Sequence, residues 1–104
     1  MNLKKLMKEA QKAQAKAAEV QEKLAAARVE GVAGGGLVRA VADGHGTILG
    51  LEIKPEAIDP EDPEALADLV LVAVQEAQKN AKELAEREMQ STMGALGGLL
   101  GGGF

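Results

Sequence analysis

Leu3, Leu6, Ala10, Ala13, Ala17, Val20, Leu24 and Ala27 follow one another at alternating steps of three and four residues. That spacing puts them on one stripe of an α-helix, at the a and d positions of successive heptads, and predicts a helix over residues 3 to about 28. Asn2 stands where an N-cap is needed, and Ala, Lys, Gln, Glu and Leu fill the positions between with strong helix formers. The seam is narrow and rich in alanine, so it removes little area from water per residue but lets another helix approach closely. Such a helix needs a partner.

Beyond Ala27 the period changes from helical to alternating. In VEGVAGGGLVRAVADGHGTILGLEIKP, glycines at 31, 34, 35, 36, 44, 46 and 50 punctuate runs of Val, Leu and Ile. Strands are expected near residues 29–32, 37–42 and 47–53, the last two forming a hairpin around Asp43, Gly44, His45 and Gly46. With Ala42 opposite Thr47, residues Val38, Ala40, Leu49, Leu51 and Ile53 share one face, while Leu37, Val41 and Ile48 fall on the other. Both faces are then partly apolar. A helix layer from the same chain covers one, and a second copy is the economical cover for the other, so Leu37, Val41 and Ile48 are the expected homodimer interface.

After Pro55 an acidic, proline-bearing turn leads to a second helix start, with Asp62 as N-cap, Pro63 at the first helical position and Glu64 in the first turn. Leu69 to Val74 is apolar all round, as expected of a segment buried between a sheet and another helix, and residues 75 to 93 become amphipathic and charged. GALGGLLGGGF holds six of the 13 glycines, so a flexible tail is expected from about residue 94 to 104. The expected fold is a single α+β domain over residues 1–104: long N-terminal helix, three-stranded antiparallel sheet, long C-terminal helix and glycine-rich tail.

Composition narrows the chemistry. The chain has no Cys and one His, His45, which leaves no disulfide, thiol nucleophile or metal cluster to expect. The amino terminus is too charged for a signal peptide, and no stretch approaches the ~18 to 20 apolar residues of a membrane span, so a cytoplasmic protein without a membrane partner is expected. Phe104 is the only aromatic residue, which excludes base stacking on aromatic platforms. Any contact with nucleic acid must run through charge.

Charge is unevenly placed. Residues 1–28 carry seven basic and three acidic side chains, a net +4, and the remaining 76 carry five basic and 13 acidic, a net −8, within a total of −4. On the first helix Lys4, Lys5, Lys8, Lys12 and Lys16 form one stripe about 120° wide, facing away from the apolar seam. The stripe works against the helix. Lys4 and Lys5 sit at the positive end of the macrodipole, and each like-charge i, i+4 step costs about 0.2 to 0.5 kcal/mol. A merely solvated face is as well served by glutamate, so the stripe points to an anionic partner, whose successive phosphates it neutralises without reading bases. Lys79, Lys82 and Arg87 on the second helix are a further candidate group, although Glu83, Glu86 and Glu88 surround them.

Other motifs carry less. Gly34, Gly35 and Gly36 precede a strand rather than a helix, with no Lys-Ser or Lys-Thr pair following, which argues against a phosphate loop. Gly44, His45 and Gly46 read as hairpin residues, because one His without a nucleophile or an orienting carboxylate makes no proton-transfer constellation. The acidic residues from Glu52 to Asp68 lack calcium-loop spacing, and Thr47, Ser91 and Thr92, the only hydroxyl side chains, lie in no nucleophile motif. Neither an enzyme, a small-molecule substrate nor a cofactor is expected.

The opening NLKKLMKEAQKAQ, the central glycine-rich hairpin, the DPEALADLVLVAVQEAQKNAKE helix and the terminal MQSTMGALGGLLGGGF together resemble the YbaB/EbfC family of bacterial nucleoid-associated proteins. The resemblance covers essentially the whole length. It implies a cytoplasmic, nucleoid-located homodimer whose projecting helices form a tweezer-shaped body that binds DNA. This sequence departs from the family pattern in carrying Ala where Met is common in the first helix, Lys54-Pro55 in place of Asp-Pro, and a tail without proline. The rival reading is a coiled-coil scaffold or prefoldin-like holdase, which needs an exposed apolar groove.

Overall fold

A computed structural model of the protein describes residues 2–101, with the side chains of residues 93 and 95–101 left aside. Helix α1 (Leu3–Ala26) leads to strand β1 (Val29–Ala33), a turn at Gly34–Gly36, strands β2 (Val38–Ala42) and β3 (Ile48–Ile53), a second turn at Pro55–Ala57, and helix α2 (Pro63–Gly101). The α+β architecture is the one expected. Most of the segment expected as a flexible tail lies outside the described side chains, and residues 102–104 lie outside the description altogether.

Local chemistry accounts for the element ends. The Asn2 side chain accepts from the Lys5 amide at 3.3 Å and caps α1. Asp62 does the same for the Ala65 amide at 3.2 Å, just ahead of Pro63. All three glycines of the Gly34–Gly36 turn have positive φ, between 62° and 97°, which a side chain at any of the three positions would strain. Asp43 organises the hairpin loop by accepting from the amides of His45 at 2.9 Å and Thr47 at 3.1 Å.

The sheet is antiparallel throughout, in the order β1-β2-β3. Val38, Ala40 and Ala42 of β2 are fully buried with Ala33 of β1 against Ala73 and Ala77 of α2. Alanine on both sides of this contact draws helix and sheet together, and Leu66, Leu69, Val70 and Val74 close its rim. α2 lies over β1 and β2 and scarcely touches β3.

Three expectations about the faces need correction. Ala42 pairs with Ile48, not Thr47, and Val41 pairs with Gly50, so Leu49 is the extra residue of a β-bulge. The bulge reverses the side-chain phase and turns Ile48 onto the helix-covered face, where it packs against the core. Leu37 lies ahead of β2 in helical backbone, half-buried over the glycine turn, so of the three expected interface residues only Val41 stands on the opposite face. That face is mixed: exposed Val32 and half-buried Val41 lie beside Arg39, which is ion-paired to Glu30 on one side and Glu52 on the other. The apolar run on α2 is not buried all round either: Leu71 and Val72 are exposed.

Candidate nucleic-acid interface

α1 is about 36 Å long at 1.5 Å per residue, and among the described residues its attachments lie toward its C-terminal end. Leu24 is its one buried side chain, and the Gly44 amide donates to the Leu24 carbonyl at 2.7 Å, tying the helix to the β2–β3 loop. Lys23 Nζ pairs with half-buried Glu88 of α2 at 2.9 Å. Arg28 donates to the carbonyls of Ala25 and Ala27 at 3.1 and 2.8 Å, satisfying the end of the helix. The preceding turns run alongside α2 in the opposite direction, with Lys16 and Val20 across a cleft from Ser91 and Thr92.

These attachments sort the basic residues. Lys23 and Arg28 are engaged in holding α1, and Lys16 is 3.7 Å from Glu19. Lys4, Lys5, Lys8 and Lys12 are exposed and make no ion pair among the described residues. No acid lies in the first turn, so the positive end of the helix dipole adds to Lys4 and Lys5 instead of being neutralised. The result is a cationic ridge on the outer half of a projecting helix, with Glu9 the one acid among its lysines.

The second basic group lies apart from that ridge. Lys79, Lys82 and Arg87 are exposed on α2, interleaved with Glu76, Glu83 and Glu86. Lys82 borders a different cleft, with Gln21, His45 and Met89, on the hairpin side of the α1–α2 junction. Sequence reasoning placed both groups on helices, but only the fold separates them, since neither chain distance nor helical phase reveals which side of α1 meets α2.

On the sheet, Glu52 hydrogen-bonds Arg39, and together with Glu30 it raises the guanidinium above its ordinary pKa. The cation is therefore neutralised where it stands and offers nothing to a phosphate. Beside it Val32 is exposed, and on the helix side of the sheet Leu51 and Ile53, paired with Ala40 and Val38, stay open because α2 stops short of β3. Leu71 is two turns before Gln78, whose amide reaches the Gly46 carbonyl at 3.3 Å, so it projects toward the same β3 side.

Comparison with known proteins agrees with this arrangement. Residues 1–96 match the YbaB/EbfC DNA-binding family. A nucleoid-associated protein of Thermus thermophilus is 56% identical over 103 residues, 97% of each chain. One from Chloroflexus aurantiacus is 46% identical over 99 residues, covering 95% of this chain and 99% of that one. One from Streptomyces avermitilis is 50% identical over 97 residues, 93% of this chain and 86% of the other. The crystal structure of an uncharacterized protein from Helicobacter pylori has the same fold, with a TM-score of 0.77 at 20% identity over 89% of this chain and 98% of that one. From its lysine-bearing first helix to the charged part of its second, this chain belongs to the YbaB/EbfC DNA-binding family.

Proposed function

We propose that the protein is a nucleoid-associated protein that binds duplex DNA by its phosphates, along the outer face of α1, and alters the conformation of the DNA it binds. The observation that carries this reading is the ridge of Lys4, Lys5, Lys8 and Lys12, exposed and unpaired among the described residues of a chain whose net charge is −4. Lys4, Lys8, Lys12 and Lys16 repeat about every 6 Å along the axis, so each meets phosphate oxygens by counterion release and none reads a base edge. Binding is then strong at low salt and nearly indifferent to sequence. The names of the curated relatives support a location on the nucleoid, and no described helix is long and apolar enough to cross a membrane. Lys79, Lys82 and Arg87 contribute less in this reading, because the glutamates among them repel the same phosphates.

The functional unit in this proposal is a homodimer joined on the β3 side. Leu49, Leu51, Ile53 and Leu71 are exposed apolar side chains, and in this reading the same residues of a second copy cover them. On the sheet's opposite face the Glu30–Arg39–Glu52 network is satisfied without a partner. Nothing in the proposal requires catalysis, a cofactor or a small-molecule substrate.

The test is a binding titration across a salt series with Lys4, Lys8 and Lys12 replaced together by Gln. The wild type should weaken steeply between about 50 and 200 mM salt, and the variant should bind all duplexes less well, with a salt slope shallower by roughly 0.9 for each phosphate left unneutralised. Gln has similar helix propensity and removes like-charge i, i+4 pairs, so the variant should melt no earlier than the wild type. Unchanged affinity in the folded variant would move the site to α2 or the sheet. Complexes insensitive to salt would instead favour a holdase, which would use the exposed Leu3, Leu6 and Met7 at the tip of α1.

A further inference from the structure

The alanine-rich seam of α1 lets another helix approach closely but does little to fix how α1 is rolled about its own axis. Methyl groups make no deep knobs and holes, so neighbouring registers of an alanine-lined helix differ little in contact. The directional contact between the two helices is polar. Lys23 Nζ lies 2.9 Å from Oε1 of Glu88, whose side chain is 20% exposed, and this is the one ion pair between α1 and α2 among the described residues. Lys23 also stands on the line of the lysine ridge. It follows Lys5 by 18 residues, about five full turns, and so has the same helical phase, while the seam residues Val20 and Leu24 lie about 80° further round. A roll of α1 by one residue step, about 100°, would carry Lys23 away from Glu88 and turn the whole ridge with it.

We infer that the Lys23–Glu88 pair positions the DNA-binding ridge: by fixing the register and roll of α1 on α2, it aims Lys4, Lys5, Lys8 and Lys12 as one row at a duplex. The inference rests on the DNA-binding proposal above and adds Lys23 and Glu88 as positioning residues, neither of which needs to touch a phosphate. Setting register is the best attested use of a partly buried ion pair, whose net stabilisation is small. Aim matters because duplex DNA is stiff over about 150 base pairs, so its phosphates do not bend to follow a misdirected row, whereas a single strand does. The charge of Glu88 makes the inference a question of sign. An acid beside the ridge withdraws one cation from it and repels phosphate, so without a positioning role its removal would strengthen DNA binding. Positioning requires the reverse.

The experiment titrates the full chain, at one salt concentration, against a duplex of about 40 base pairs, well within the stiff range, and against a single strand of the same number of nucleotides. Glu88→Gln should weaken duplex binding about two- to fivefold, the worth of an ion pair of this exposure, and leave single-strand affinity within about twofold. Glu88→Lys sets two lysines face to face and should weaken duplex binding at least as much, although it raises the net charge from −4 to −2. Lys23→Glu combined with Glu88→Lys restores opposite charges across the cleft at unchanged net charge, and should return duplex affinity to within about twofold of the wild type. Circular dichroism melts establish that each variant is folded, and if Glu88→Lys alone is not, Glu88→Gln and the exchange decide. Duplex affinity unchanged or raised in Glu88→Gln would overturn the inference, as would an exchange variant that binds duplex no better than Glu88→Gln, or a loss equal on duplex and single strand. A wild type that does not bind the duplex would overturn the DNA-binding reading itself.

Discussion

A methyl group added to Gly31 would sit 2.2 Å from both the Ala73 carbonyl oxygen and the Ala77 amide nitrogen of α2. Both neighbours are backbone, so no rotamer change relieves the overlap, and α2 must lift from β1. Gly31→Ala should therefore fall at the upper end of overpacking costs, about 3 kcal/mol or more, measured by denaturant unfolding. A loss under about 1 kcal/mol, the ordinary range for a tolerated substitution, would mean that α2 can shift without cost. The lysines behave in the opposite way. Lys4, Lys5, Lys8 and Lys12 are exposed and make no ion pair among the described residues, so their removal is read in binding and not in melting. Arg39 belongs to neither class: Glu52 and Glu30 raise its pKa, so its pairing contributes where the guanidinium and both carboxylates are charged, and on the alkaline side it is lost only as pH rises through that raised value.

At the scale of the element, α1 is an arm fastened by a short lever. Among the described residues its attachment consists of Leu24, the Leu24 carbonyl bonded to the Gly44 amide, and the Lys23–Glu88 pair. Leu24→Ala removes the only buried side chain and should cost about 2 to 5 kcal/mol, the range for emptying a leucine site. Once detached, an alanine-rich helix with repelling lysines is marginal, so the helical circular dichroism signal should fall before the sheet unfolds. A single, unshifted melt would show that the arm is held by something other than Leu24. Lys23→Gln is a milder change. Lys23 is largely exposed, and loss of its pair should cost no more than about 1 kcal/mol.

The whole molecule measures 72 × 23 × 16 Å, far longer than a sphere of its mass, because both long helices extend past the sheet. Length of this kind separates the charges: the cationic ridge occupies one arm, and most of the −8 from residues 29–104 lies on the body and α2. Such polarity orients the arm toward a polyanion and keeps the body away from it. The β3 side decides the assembly. The protein should sediment at twice the 10.7 kDa of the chain. Leu51→Asp or Ile53→Asp should split or unfold that species, because the carboxylate would lose water without gaining a partner. Val41→Asp, on the face that carries Arg39, should leave the mass unchanged. The reverse pattern, with only Val41→Asp dissociating the protein, would return the interface to the face expected from alternation alone.

Much of this was legible in local sequence because its causes are local. Heptad spacing from Leu3, caps at Asn2 and Asp62 and the run of strands between the helices each have local causes, and the helices, caps and three strands appear in the structure close to where they were expected. The lysine ridge was legible for the same reason, since helical phase alone puts Lys4, Lys8 and Lys12 on one side. Tertiary structure decided the rest. One extra residue, Leu49, reversed the phase of the hairpin end and moved Ile48 from the open face to the core. Pairing across three strands brought Glu30, Arg39 and Glu52 together on a face expected to be partly apolar and joined them as ion pairs. How far α2 reaches across the sheet left Leu51, Ile53 and Leu71 uncovered. These outcomes depend on contacts between residues far apart in the chain, where a shift of one position changes which side chain meets water, and no local period encodes that shift.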